Sequence, residues 1–362
     1  MKHLPVADLQ GFMTEVFTRI GVPAGDAAIC SEVLIASDLK GIESHGIGRL
    51  KMYYDRIKAG IQNPLTKIDV LRNKYATAVW DGNHGMGHVI AKKAMQTAID
   101  KAKQFGLGSV AVRNSTHYGI CGFYAEMATK QDMIGLTFTN ARPSICPTNG
   151  VSPLLGTNPI CFGAPSDLPY PFLYDAATSI SQRGKVEQYA REEKPTPEGW
   201  AIDLDGKPYT DTNGLLVDLI LQKASMLPIG GTEEVCGSHK GYGLGTMVEI
   251  LCASLQDGSY LNGLLGQDAA GKPAPYCLGH FFMAINIDFF TELENFKKTT
   301  GAICRELQSS QLFPGKNRIY VAGEKEFEIE QRVRREGVPI IPNLEKAIQI
   351  MQQELGINML QL

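Results

Sequence analysis

Long hydrophobic runs are missing from this sequence: none approaches the roughly 18 residues that a membrane-spanning helix needs. Basic tracts are missing too. Lys and Arg number 35 against 38 Asp and Glu, a formal net charge of −3, so the electrostatic footprint of a nucleic-acid binder is absent. The eight cysteines, at positions 30, 121, 146, 161, 236, 252, 277 and 304, contain no CxxC pair and mostly follow an apolar residue. That pattern speaks against a zinc site or a disulfide frame and suits reduced, buried thiols in a cytoplasmic protein. The start, Met1-Lys2-His3-Leu4-Pro5, lacks the apolar core of a signal peptide and leads into an amphipathic helix. What is present is an ordinary globular balance, 44% hydrophobic and 20% charged over 362 residues. It is enough for two domains, or one large domain with an excursion.

Residues 6–58 read as three helices, the first with Val6, Leu9, Phe12, Met13, Val16, Phe17 and Ile20 at helical spacing. The texture changes near residue 70. Strand-like 75–80, helical 89–104, strand-like 108–113, helical 118–130 and strand-like 135–139 alternate as in an α/β layer. Residues 141–174 are rich in Pro, Gly and Asn and read as long loops over a site, and 181–235 keep that character, with a small hairpin at 200–206. A long apolar helix at 243–255, a buried strand at 281–287 and helices at 293–310 and 343–355 complete the chain.

Ser44-His45-Gly46-Ile47-Gly48-Arg49 carries the most chemistry. Read as a helix capped by Ser44, it buries Leu50, Tyr53, Tyr54 and Ile57 and turns His45 and Arg49, four apart, toward one cleft. Imidazole titrates near neutrality and suits general acid/base work. Guanidinium presents a planar fork for a carboxylate. A hydroxy or oxo acid needs both. The plain alternative is a helix start with a surface histidine and a solvated arginine.

Gly82-Asn-His-Gly85-Met-Gly87-His follows a strand and opens a helix. The dinucleotide fingerprint needs a third small residue where Ile90 stands, and no second strand ending in an acid follows. The segment reads as a tight turn or an anion-binding helix start instead. His84 and His88 lack the Glu and third ligand of a zinc motif, so no metal is expected.

Five motifs in order carry a family resemblance: Ser44–Arg49, Arg113-Asn-Ser-Thr-His117-Tyr-Gly119, Leu155-Gly-Thr-Asn-Pro159, Asp175-Ala-Ala-Thr-Ser179 and Gly237-Ser-His-Lys240-Gly-Tyr-Gly243. Together they resemble the malate/L-lactate dehydrogenase family of the non-Rossmann type. Gly279-His280-Phe281-Phe282 and Gly323-Glu324-Lys325 look most like its archaeal-type malate dehydrogenase branch. The resemblance implies an α/β (α+β) fold: a cofactor domain with a mixed or mostly antiparallel sheet, and a helical domain built from both chain ends. Combined with the texture change, it sets boundaries of 1–72 plus 306–362 against 73–305, and it implies a homodimer.

Roles implied by the resemblance can be carried over residue by residue. His45 matches the proton donor/acceptor, Ser44 the residue that orients it and Arg49 the substrate-carboxylate ligand. His117 matches a second histidine, both catalytic and near the nicotinamide. Asp175 matches an acid that either orients His45 or holds the cofactor. Asn140, Thr178, Ser179, Lys240, His280, Phe281, Phe282, Gly323, Glu324 and Lys325 match cofactor contacts. Departures are Ala322 where the family has proline, Ala176 where it has methionine, and Arg183 in the run before Gly184-Lys185. The expected activity is hydride transfer between NAD or NADP and a small 2-hydroxy/2-oxo acid, most simply malate. Reduction of an imino acid or oxidation of a ureidoglycolate-type acid is the enzymatic alternative. A non-catalytic ligand-binding protein on this scaffold is the remote one.

Overall fold

The structure, a computed structural model, describes residues 2–361. Its strands are β1 (Lys2–Leu4), β2 (Asp69–Lys74), β3 (Thr77–Asp81), β4 (Leu107–Ser115), β5 (Met133–Thr139), β6 (Ile160–Ala164), β7 (Phe172–Ala176), β8 (Ala201–Asp203), β9 (Ala224–Met226), β10 (Leu278–Asn286) and β11 (Val338–Ile340). Its α-helices are α1 (Val6–Arg19), α2 (Ala24–Leu39), α3 (Leu50–Lys58), α4 (Gly87–Phe105), α5 (Cys121–Thr129), α6 (Arg183–Arg191), α7 (Thr212–Ile220), α8 (Ser238–Ala253), α9 (Leu293–Gln308), α10 (Glu324–Glu336) and α11 (Pro342–Leu355). No helix among the described residues is long and apolar enough to cross a membrane.

Helical spacing of apolar residues builds the first core. Leu9, Phe12, Met13, Val16 and Phe17 of α1 are fully buried against Cys30 and Leu34 of α2 and Leu50, Tyr53 and Tyr54 of α3. The far end of the chain joins them through Val333, Ile348, Met351, Ile357 and Leu360. The antiparallel pair β1–β11 ties the two ends together, with Lys2 opposite Ile340.

The main sheet runs β2-β3-β4-β10-β5-β6-β7, and only the β3–β4 pair is parallel. This is the mixed, mostly antiparallel sheet expected, not a doubly wound one. α4 and α5 cover one face through Ile90, Ala94, Met95, Ala98, Tyr124 and Ala128, and α8 covers the other through Val248 and Cys252. Successive residues of a strand face opposite ways. Phe282 accordingly enters the α4/α5 core, whereas Phe281 packs on Phe138 under α8.

The stretches read as loops hold more structure than expected. Residues 141–174 contribute β6 and most of β7, and 181–235 contribute α6, α7, β8 and β9. These elements are short and set between turns, so they show little periodicity. β6 and β7 extend the main sheet, with Cys161 and Leu173 in the α4/α5 core, whereas the others form a third core in which Val186, Ala201, Leu215, Ala224 and Met226 pack on Ile145 and Leu155. The expected hairpin at 200–206 is a tight turn, with Asp203 N donating to Lys207 O at 3.0 Å, but β8 pairs with distant β9.

The glycine-rich turn is a packing device. A Cβ on Gly87 would lie 2.3 Å from Thr116 O and 2.6 Å from His117 O, so glycine lets α4 approach the segment carrying His117. Thr116 Oγ1 links the two, accepting from Gly87 N and donating to Gly85 O. His88, one residue on, is wholly buried between Phe17 and Tyr53, and neither ring nitrogen has a partner among the described residues.

Burial lowers the pKa of His88 and of His280 from 6.5 to about 3. Between those values the unfolded chain binds these protons and the folded chain does not, so stability is lost as pH falls below 6.5. His88→Leu is expected to flatten the dependence of unfolding free energy on pH between 3.5 and 6 by one proton, about 1.4 kcal/mol per pH unit. Urea unfolding across that range measures it.

Candidate active site

The helix expected from Ser44 does not form. His45 sits in a turn, its N–H donating to Ile42 O at 3.0 Å. A 3-10 turn, Ile47–Arg49, follows, and α3 begins only at Leu50. The cause is Asp38, whose buried Oδ2 accepts Ile47 N–H at 2.8 Å. A Cβ on Gly46 would lie 1.8 Å from the other oxygen of that carboxyl group. His45 and Arg49 therefore do not share a helix face as their spacing suggests, yet Arg49 stays close enough for its charge to act on His45. His45 lines a cavity of about 490 Å³. Ser44 and Arg49 line a neighbouring one of about 360 Å³, where Arg49 donates through Nε to Ser44 O at 2.6 Å and lies 3.7 Å from Glu187 of α6.

The larger cavity collects His45, His117, Asn140, Asp175 and Ser179 between the helical core, the sheet and α6. Ile42, Ile120, Trp200 and Leu278 give it apolar walls, and Gln182 and Lys185 contribute from the start of α6. The His45 and His117 rings stack, with centroids 5.5 Å apart. Ser44 Oγ bonds His45 Nδ1 at 2.8 Å, and the Tyr53 hydroxyl bonds His117 Nδ1 at 2.5 Å. Burial, reinforced by the Arg49 charge, lowers His45 to about 4. Burial also holds His117 well below the ordinary imidazole value, with His45 and Arg49 adding to the effect. Both imidazoles are therefore neutral at pH 7, able to accept a proton or to donate a hydrogen bond.

Asp175 lines this cavity without bonding His45. Its Oδ2 accepts Gly122 N–H at 2.7 Å in the first turn of α5, and burial raises its pKa to about 6. Asn140 spans two elements, its Oδ1 accepting Gly279 N at 2.8 Å and its Nδ2 donating to Ser259 O. Thr178 binds Thr157 O through both N and Oγ1, and Ser179 Oγ donates to Ser181 O. These bonds shape the wall.

Other residues singled out by the resemblance lie elsewhere. His280 is enclosed, stacked on Tyr118 at 4.4 Å and bonded to Thr139, and Phe281 and Phe282 are core residues. None of these three side chains lines the cavity. Lys240 is exposed in the first turn of α8. Gly323 (φ 92°) starts α10 and lines a separate depression with Lys297, Tyr170 and Phe327. Glu324 is buried there, held by Gln308, Arg318 and Val321 N, and Lys325 lies over the Tyr320 ring.

The sequence pattern marked Tyr53 only as core, and Asp38 and Glu187 not at all. Tyr53 meets His117 across 64 residues and Arg49 meets Glu187 across α6; no local spacing encodes either contact.

Comparison with known proteins follows the same residues from end to end. The family profile described as malate/L-lactate dehydrogenase matches residues 4–349. A malate dehydrogenase of Pyrococcus abyssi is 41% identical over 98% of this chain and 95% of its own length. An L-sulfolactate dehydrogenase of Methanocaldococcus jannaschii is 39% identical over 95% and 94%. A crystal structure of malate dehydrogenase from Entamoeba histolytica superposes with a TM-score of 0.96 at 41% identity, covering 99% of both chains. The chain belongs to the malate/L-lactate dehydrogenase family.

Proposed function

We propose that this protein is an NAD(P)-dependent dehydrogenase interconverting a small 2-hydroxy acid and its 2-oxo acid, malate and oxaloacetate first among them. The observation that carries this reading is the pair of neutral, stacked imidazoles lining one cavity, joined to relatives named for malate and sulfolactate. The cavity fits a nicotinamide and a small acid: about 490 Å³, apolar walls, and a buried Ser181 Oγ that lacks a partner among the described residues. Asn140, Asp175 and Ser179 are the residues that would hold the cofactor there. When bound, the nicotinamide supplies or accepts the hydride.

The chain's own groups move the proton. With Nδ1–H donated to Ser44 Oγ, the His45 Nε2 lone pair takes the hydroxyl proton in oxidation and returns it in reduction. Arg49 already lies beside the Glu187 carboxylate, and in this proposal a ligand carboxylate takes that place. An anion brought close to His45 raises its pKa and helps it hold the proton. α6, with Gly184 against Ser44 and Arg49, is then the element that must yield.

Around this site we propose a helical unit of residues 1–72 and the C-terminal segment. A boundary at 305/306 would cut α9, so the crossing belongs after that helix, near residue 310. Leu244, Met247 and Ile250 are exposed at successive turns on one face of α8, which supports self-association as a homodimer. Six buried free thiols support a reducing, cytoplasmic setting.

A spectrophotometric panel of malate, L-lactate, sulfolactate, ureidoglycolate and a cyclic imino acid against NAD and NADP tests the reading. Malate or sulfolactate is expected to turn over fastest, and turnover of none refutes it. His45→Ala is expected to lower kcat by ~10²–10⁴-fold with cofactor affinity retained. Arg49→Lys should raise the KM for the acid by ~10-fold or more, the loss of a charge-assisted bond. Sedimentation should give twice the chain mass, and Met247→Glu should shift it toward the monomer.

A further inference from the structure

The two histidines of the cavity differ in what stands behind them. Behind His45 is Ser44, whose hydroxyl can give or accept a hydrogen bond. Behind His117 is Tyr53, fully buried on α3, with its oxygen 2.5 Å from Nδ1. Phe17 and His88 pack around the Tyr53 ring, and among the described residues no other acceptor lies within hydrogen-bond reach of its hydroxyl. A buried hydroxyl proton without an acceptor costs about 1–3 kcal/mol. Tyr53 must therefore donate to Nδ1, and Nδ1 must be the unprotonated nitrogen. A second group agrees. Gly119 N–H approaches the same Nδ1 at 3.4 Å, and a backbone amide can only donate. Two donors converging on Nδ1 leave the imidazole proton on Nε2. That nitrogen has no partner among the described residues and is not sealed off by protein.

We infer that Tyr53 is a positioning residue that fixes His117 as the Nε2–H tautomer, making His117 a hydrogen-bond donor to the ligand oxygen while His45 alone exchanges the proton. This rests on the dehydrogenase reading and deepens it by separating the roles of two rings that look alike in sequence. In oxidation the hydroxyl proton would go to His45 Nε2, and a bound nicotinamide would accept the C2 hydrogen as hydride. His117 gives up no proton and only stabilises charge growing on the oxygen, as a preorganised donor does. The burial of Tyr53 keeps its phenol protonated throughout the working pH range, so the donor is never lost. Histidine ring orientation is commonly fixed by the group bonded to the other nitrogen; here that group sits 64 residues away on the helical core. The phenol thus connects the packing of α1–α3 to the reacting oxygen.

Ring-nitrogen NMR of protein labelled with 15N-histidine, without ligand, tests the tautomer directly. The His117 signals are assigned by their loss in His117→Ala. The expected result is a wild-type ring protonated at Nε2 between pH 6 and 8, and a mixture of tautomers in Tyr53→Phe. In kinetics, Tyr53→Phe should lower kcat by ~10–100-fold, in the range for loss of one oriented donor. The KM for the cofactor and the thermal midpoint should change little, and the acidic limb of the pH profile, set by His45, should stay in place. A wild-type ring carrying its proton on Nδ1 overturns the inference, and this holds even if the variant fails to fold. So does a Tyr53→Phe enzyme with wild-type kcat, or one whose His117 remains wholly Nε2–H. Absence of any 2-hydroxy acid turnover in the wild type would count against the dehydrogenase reading, while the NMR result would still decide the tautomer.

Discussion

One carboxyl group sets the course of the chain through the site. Asp38, at the end of α2, accepts the Ile47 N–H and presses its other oxygen against Gly46. Without that contact the run from Ser44 could continue as helix into α3, and His45 would lie on the same face as Arg49. With it, the chain turns before α3 begins, and the imidazole and the guanidinium line neighbouring cavities. Burial raises Asp38 to about 8, and the carboxyl accepts the amide hydrogen whether or not it carries a proton.

The same burial logic governs the rings. His45 and His117 are enclosed by the helical core and the sheet, with Arg49 near enough for its charge to disfavour a second cation. The site is thereby set with two neutral bases and one fixed cation, an arrangement that favours an anionic ligand. Glu187 supplies the counter-charge for Arg49 from α6, and α6 also forms part of the cavity's rim through Gln182 and Lys185. The helix that holds the guanidinium thus also limits entry to the imidazoles.

Legibility followed length and periodicity. α1, α2, α4, β4, β5 and α11 were visible because each buries one regular stripe, and the texture change near residue 70 marks the passage from the helical core to the sheet. β6, β7, α6 and α7 were not. They span five to nine residues between turns; β6 and β7 are ordered by pairing in the main sheet, α6 and α7 by packing with Ile145, Leu155 and Met226 from other parts of the chain. The sequence marks a buried strand at 281–287, and the strand runs Leu278–Asn286; its pleat, which encloses His280 and Phe282 and turns Phe281 toward α8, requires the sheet order.

Residue chemistry was written in the sequence: a histidine beside a serine, an arginine four residues on, a second histidine after a strand, and five motifs in family order. Those features single out an imidazole and a guanidinium as candidates because side-chain chemistry is local. Which cavity each group faces, what Asp175 bonds, and which phenol stands behind His117 are properties of contacts between segments tens of residues apart. Only the packed core brings Tyr53 to His117 and Asp38 beneath Gly46, since a hydrogen bond needs its partners within about 3 Å whatever their distance along the chain.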